Sequence, residues 1–166
     1  MTRHALAAVL YALALPAAAQ VTPAANYTDM WWNPNESGWG ISIAQHTATN
    51  KVFAVWYTYD PREQDFTTPE TTDYKPLWIV LPDSNWTSPT TFTGNVYVTT
   101  GTPFSQAWNN ASLAVQQVGT FTFTFGDSSN GTFAYNITPP AGLPSSNPAF
   151  GLPTFSGVKA ITRQAF

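Results

Sequence analysis

The chain has 166 residues, of which 9% are charged and 15% are aromatic, and its formal net charge is −3. This length fits one domain, and the scarcity of basic residues argues against nucleic acid or an anionic membrane surface as a partner. The sequence has no cysteine, and His46 is its only histidine beyond residue 20. We therefore expect no disulfide, no metal site and no cofactor.

The first 20 residues have the features of a secretory signal peptide. Arg3 and His4 give a short basic start, and residues 5–15 form an apolar run shorter than the roughly 20 residues that span a bilayer. An uncleaved anchor helix is the alternative. The sequence thus predicts a signal peptide at 1–20 and a single β domain at 21–166 without a transmembrane segment. Export without cysteine favours a secreted, periplasmic or cell-surface location in a Gram-negative bacterium.

Alternation of apolar and polar residues predicts β-strands along most of the remaining chain, and no segment has a helical period. Two segments rich in charge or proline, 61–74 and 139–155, are predicted to be long loops. The predicted strands are 39–46, 52–59, 75–81, 91–100, 113–118, 120–125, 132–138 and 156–166.

Seven or eight strands joined in sequence order by turns predict an all-β fold. The two candidate architectures are an antiparallel up-and-down β-barrel, which we prefer, and a two-sheet β-sandwich. An outer-membrane barrel would need a continuous apolar band on its outer face, and Thr120, Thr122 and Thr124 interrupt such a band.

The most distinctive stretch is residues 31–40, which read WWNPNESGWG. Together with four later blocks, it resembles a group of bacterial secreted or surface modules that open with this motif and continue in a β-rich body. The resemblance implies export and a compact β module, and it brings no active-site residue with it. The two long loops depart from the group's pattern. The later blocks are residues 56–60, 76–80, 94–101 and 161–166.

A weaker analogy links Trp31, Trp32, Asn33 and Ser37 to avidin-type barrels. Those barrels begin with a Trp-aromatic-Asn segment and bind a small ligand in the barrel mouth. The downstream spacing does not match, so the analogy concerns architecture alone.

Glu36 is the one candidate catalytic residue, because a carboxylate among tryptophans is expected to have a raised pKa and could act as a general acid. Glycoside hydrolysis would need a second carboxylate, for which Asp29 and Asp60 are candidates. Alternatively, Glu36 accepts backbone N–H groups and fixes the loop. A triad using His46 lacks the usual sequence context of the nucleophile. No complete catalytic constellation is present.

High aromatic content and low charge favour a non-enzymatic module that binds a neutral ligand, either a glycan or a small molecule, through an aromatic cluster. The alternatives are a hydrolase that uses Glu36 as its general acid and a structural or adhesive module of the cell envelope. It also remains open whether the tryptophans simply pack in the core. The predicted ligand-binding residues are Trp31, Trp32, Asn33, Glu36, Trp39, Trp56, Tyr57, Tyr59 and Trp78.

Overall fold

A computed structural model describes residues 21–63 and 75–165. The predicted signal peptide and most of the predicted loop 61–74 lie outside the described residues. The strands, in chain order, are β1 (Asp29–Trp32), β2 (Gly40–Gln45), β3 (Val52–Tyr59), β4 (Pro76–Leu81), β5 (Asn85–Ser88), β6 (Thr91–Thr100), β7 (Ala114–Phe125), β8 (Asn130–Ile137) and β9 (Phe155–Arg163).

Eight of these strands close into an antiparallel barrel. Successive strands pair with each other, β9 pairs with β1, and β4 pairs with β6 at Val80 and Tyr97 to complete the circle. The ninth, β5, extends the sheet beside the start of β6. The predicted all-β fold is confirmed, and the architecture is the barrel rather than the sandwich.

The barrel has two different ends, because each strand runs opposite to its neighbours. The connections 33–39, 60–75, 101–113 and 138–154 leave what we call the loop end. The shorter connections 46–51, 82–90 and 126–129 leave what we call the turn end.

Side chains fill the barrel interior. The alternation along β7 directs Phe121, Phe123 and Phe125 inward, where they contact rings from neighbouring strands. Phe92 on β6 stacks on Phe123 with ring centroids 4.7 Å apart. An eight-stranded barrel is just wide enough for side chains to fill or to hold one small ligand. The interior is therefore a packed aromatic core, and any cavity in it must be small.

Two short strands were not predicted from the sequence, and a predicted strand break is absent from the described part of β7. The strands β1 and β5 have four residues each, too few for alternation to be recognised. We expected a break at Gly119, but β7 continues through this position because the register with β6 shifts there. Gly119 has φ +155°, and a Cβ atom would collide with the carbonyl oxygen of Asn136. A β-bulge of this kind requires glycine.

The only helical segments in the described ranges are two short 3₁₀ turns, Pro61–Glu63 and Asn110–Ser112. Neither has the length or the apolar character needed to cross a bilayer.

Trp31 anchors the turn end of the core. Its ring is fully buried, its indole N–H donates to the carbonyl oxygen of Tyr27 (3.0 Å), and the guanidinium of Arg163 lies 5.1 Å from the ring centroid. Tyr27 stacks on Phe125 with centroids 3.8 Å apart. The segment that precedes β1 is thereby held against the barrel.

The two adjacent tryptophans allow a direct test of this packing. Trp31→Ala should lower the free energy of unfolding by about 3–5 kcal/mol, because a large buried ring is lost from a packed core. Trp32 is half-buried on the opposite face of β1, so Trp32→Ala should cost less than half of that amount. Equal losses in urea denaturation would contradict this assignment of the two faces.

Candidate functional site

A small cavity of about 140 Å³ lies between the core and the loop end of the barrel. Its walls are mostly aromatic, and one acidic and one basic side chain also line it. Ligand pockets for drug-sized molecules usually measure about 300–1,000 Å³. This cavity therefore has room for one ring or for the end of a longer molecule. The lining residues are Glu36, Trp39, Trp56, Phe133, Tyr135 and Lys159.

The basic residue reaches the cavity because of its position in the strand alternation. On β9, Lys159 is in phase with Gly157 and with the buried Ile161, so its side chain points to the inside of the barrel. A Cβ atom at Gly157 would lie 2.5 Å from the Tyr135 hydroxyl oxygen. Glycine at this position therefore makes room for Tyr135 beside Lys159.

The acidic residue is positioned by the tight loop between β1 and β2. The carbonyl oxygen of Asn33 accepts the backbone N–H of Glu36 (3.0 Å), and the side-chain oxygen of Asn33 accepts the N–H of Asn35 (2.9 Å). Gly38 has φ +103° and lies against the ring of Tyr59. Asn33 is thus a buried turn-forming residue that places Glu36 over the barrel.

The Glu36 carboxylate bonds to two side chains that line the cavity. Its Oε2 atom accepts from Lys159 Nζ at 2.7 Å and from Trp39 Nε1 at 3.3 Å. The hydrogen bond from Lys159 holds the pKa of Glu36 below its usual range, and the same bond raises the pKa of Lys159. The raised pKa that we predicted for Glu36 is therefore wrong, because a cation 123 residues away in the sequence faces the carboxylate.

Trp56 lines the cavity from β3. Its side chain is only 8% exposed and packs edge-on against Phe133, with centroids 5.3 Å apart. The Trp56 indole N–H is buried and has no hydrogen-bond partner within the described residues. A buried donor without a partner costs about 1–3 kcal/mol. A bound molecule that presents an acceptor to this N–H would remove that cost.

Three of the predicted ligand-binding residues lie elsewhere, on the outer wall of the barrel. Tyr57 and Trp78 form a cross-strand pair with ring centroids 6.3 Å apart, and Tyr59 continues the row toward the loop end. A second cavity of about 360 Å³ lies beside Trp78, where β4 and β6 diverge. Trp31 is in the core at the turn end, and Trp32 is half-buried on the other face of β1.

The candidate partners for acid catalysis do not line the cavity. Burial would raise the pKa of Asp60, but hydrogen bonds from Arg62 outweigh it and leave that pKa lowered. The Oδ2 atom of Asp29 lies 3.6 Å from the Nη1 atom of Arg163. His46 is in a turn-end connection, where its Nδ1 atom lies 2.9 Å from the Thr49 hydroxyl oxygen.

Sequence reasoning missed three residues of the cavity: Phe133, Tyr135 and Lys159. Phe133 and Tyr135 were recognised only as one face of a strand. Lys159 carried a usable signal, since it is a charged residue in phase with Ile161 on the inward face of β9. A charged residue on the buried face of a strand is uncommon and points to a polar site.

Comparison with family models, with curated proteins and with solved structures finds no match to this chain. The fold and the cavity define the class: an antiparallel eight-stranded β-barrel with a small aromatic-lined cavity near its loop end. The resemblance of residues 31–40 to bacterial secreted modules stays a prediction, as does export.

The ion pair makes stability depend on pH in a defined direction. Because the folded pKa of Glu36 is lowered, the contribution of Glu36 is present above the usual glutamate value of about 4.3 and is lost as pH falls through the folded pKa. The midpoint temperature of thermal unfolding should be higher for wild type than for Glu36→Gln at pH 6–7. This difference should shrink as the pH is lowered. A difference that does not shrink when the pH is lowered from 6–7 to below the usual glutamate value of about 4.3 would contradict the assignment.

Proposed function

We propose that this protein is a secreted, non-enzymatic barrel that binds a neutral ligand, a small molecule or the terminal ring of a glycan, in the cavity beside Trp56. The observation that carries the proposal is a concave space with aromatic walls, one of which, Trp56, has a buried N–H without a partner within the described residues. Apolar pockets with a few convergent polar groups are the usual form of small-molecule sites.

The polar groups of the cavity favour a ligand with hydroxyl groups. Trp56 offers a donor, and the Lys159 ammonium has donors beyond the one that it gives to Glu36. The Oε1 atom of Glu36 accepts no hydrogen bond within the described residues and remains available as an acceptor. A hydroxyl group can both donate and accept, so a polyhydroxylated ring matches all three groups.

The balance of charge favours a neutral ligand. Glu36 and Lys159 neutralise each other at a distance of 2.7 Å, so the cavity presents no net charge for an ion to pair with. Trp39 and Trp56 line the cavity with aromatic surface, which suits contact with an uncharged ring. The volume of about 140 Å³ limits the enclosed part of the ligand to about one ring.

The hydrolase alternative is less well supported. A general acid needs to hold its proton near neutral pH, whereas the hydrogen bond from Lys159 keeps Glu36 ionised there. The carboxylates of Asp29 and Asp60 each face an arginine. Glu36→Gln distinguishes the two functions, since a hydrolase would lose turnover with its fold intact. We expect wild type to turn over none of the sugars that it binds.

The binding proposal is tested by titrating the protein with neutral mono- and disaccharides and small hydroxylated aromatics, followed by intrinsic tryptophan fluorescence. Trp56→Phe keeps an aromatic ring but removes the N–H, so affinity should fall about tenfold, the equivalent of one hydrogen bond. The free energy of unfolding should fall by less than in Trp31→Ala, because phenylalanine refills part of the space left by a side chain that is only 8% exposed.

Trp78→Phe is the matched control, since Trp78 is 63% exposed on the outer wall. It should leave the affinity of the cavity unchanged. If Trp56→Phe binds as tightly as wild type and Trp78→Phe binds more weakly, the site lies on the outer wall instead. The absence of any response across the panel would favour the structural or adhesive module.

A further inference from the structure

The strand β9 has one edge that the barrel pairs only in part. On one side, β9 pairs with β8 from Phe155 to Thr162 without a break in register. On the other side, within the described residues, it pairs with β1 at Thr162 and Arg163 alone, because β1 ends at Trp32. Residues 155–161 therefore have a strand partner on one side only. A strand edge of this kind presents unpaired backbone groups.

The hydrogen-bonding pattern shows which residues carry these unpaired groups. In an antiparallel sheet, alternate residues of a strand direct their N–H and C=O groups to opposite neighbours. The N–H of Arg163 donates to the carbonyl oxygen of Ser129 on the β8 side, whereas the N–H of Gln164 donates to the carbonyl oxygen of Met30 on the β1 side. The odd-numbered residues of β9 thus bond to β8, and the even-numbered residues face away from it.

The free backbone groups consequently belong to Ser156, Val158 and Ala160. No hydrogen bond within residues 21–63 and 75–165 reaches the N–H or C=O groups of these residues. Their side chains are exposed on the outer wall, and Val158 is 67% exposed. Proteins commonly protect an edge strand with proline or with charged side chains. The outer face of this stretch has neither, since its side chains are small and uncharged.

We propose that β9 joins two copies of this chain, whose β9 strands pair edge to edge and antiparallel about a two-fold axis at Val158. In this register, Val158 lies opposite Val158 of the second copy, and Ser156 lies opposite Ala160. Each of these residues then exchanges both of its backbone hydrogen bonds with the other copy. A two-fold interface uses the same patch on both copies, as this edge requires.

The length of the free edge fits this register. Thr162 is already paired with Trp32, so a second copy has no access to the backbone groups of Thr162. The residue of the second copy that would lie opposite Thr162 is Thr154, which precedes β9. The second copy's strand therefore ends where β1 begins to pair. A shift of two residues in either direction would leave some of the free backbone groups without partners.

Charge does not oppose this pairing. Lys159 is the one charged residue between 156 and 160, and its inward-pointing ammonium is paired with Glu36 at 2.7 Å. In the register centred on Val158, it lies opposite Gly157 of the second copy, so the two ammonium groups do not face each other. An inward charge that discourages edge pairing in other sheets is thus accommodated here.

A second copy fits this edge better than an unrelated extended peptide. A peptide could bond to the same backbone groups, but specificity for a peptide comes from pockets or charges that recognise its side chains. The exposed side chains along this edge, those of Ser156, Val158 and Ala160, carry no charge. A second copy brings an identical free edge, so one contact satisfies the backbone groups of both chains.

Sedimentation equilibrium of the full chain, from micromolar to millimolar concentration, tests the association. Wild type should show a concentration-dependent equilibrium between monomer and dimer. Val158→Asp should weaken it at least about tenfold, because two carboxylates would meet at the two-fold axis. Val115→Asp is the matched control and should associate like wild type, since Val115 is a valine of β7 with a similar exposure of 57%.

Val158→Pro provides a second variant that keeps the net charge unchanged. The N–H of Val158 faces the free edge, so proline removes a hydrogen bond of the dimer and none from the ladder between β8 and β9. Association should weaken about tenfold or more. Far-ultraviolet circular dichroism should match that of wild type.

Single cysteines test the register. The sequence has no cysteine, so an introduced thiol can form a disulfide only with a second copy. Residues opposite each other in a hydrogen-bonded pair have Cα atoms about 5.5 Å apart, within the range of about 4.4–6.8 Å that disulfides span. Val158→Cys should cross-link in oxidised glutathione at least about tenfold faster than Val115→Cys. A mixture of Ser156→Cys and Ala160→Cys should cross-link faster than either variant alone.

All variants keep the same N terminus, so any association through the apolar residues 5–15 is common to them. The proposal is overturned if wild type stays monomeric at millimolar concentration, whether or not it binds an extended peptide. It is also overturned if Val158→Asp associates like wild type, or if Val115→Asp weakens association equally. Neither measurement involves a ligand of the cavity, so this proposal and the binding proposal can fail separately.

Discussion

The ion pair between Lys159 and Glu36 joins the last strand of the barrel to the loop after the first strand, across 123 residues of sequence. Lys159 stands on an inward position of β9, and its side chain, 38% exposed, lies beside the aromatic rings of the cavity. Glu36 in turn holds the indole of Trp39 over the same space. The neutral charge of the cavity and the lowered pKa of its carboxylate both follow from this one contact.

The aromatic residues divide into three groups with different roles. Trp31, together with Tyr27 and the phenylalanines of β7, fills the core at the turn end. Trp39 and Trp56 line the cavity. A third group lies on the surface, either on the outer wall beside Trp78 or at the loop end. The same residue types thus supply both core packing and the proposed ligand site.

The fold class was predictable because alternation determines which face of a strand is buried. The run of Phe121, Phe123 and Phe125 between threonines is enough to orient β7, and short connections between such strands imply antiparallel neighbours. The choice of barrel over sandwich depends on pairing of β9 with β1 and of β4 with β6. Such long-range closure has no local signal in the sequence.

The cavity was predictable only in part, for the same reason. The motif at residues 31–40 directed attention to Glu36 and Trp39, and the aromatic run of β3 to Trp56. The opposing wall comes from β8 and β9, whose distance from β3 depends on closure of the barrel. Sequence reasoning therefore grouped Trp56 with Tyr57, its neighbour in the chain, although adjacent strand residues point to opposite faces.

The most direct test of the proposed binding site is the nuclear magnetic resonance signal of the Trp56 indole N–H, assigned by its loss in Trp56→Phe. In the free protein this N–H should resonate at the high-field edge of the indole region, because it has no acceptor. A ligand in the cavity should move it downfield, while the signal of Trp108, bonded to Asn110, stays in place. A ligand that binds and leaves the Trp56 signal unchanged would contradict a site beside Trp56.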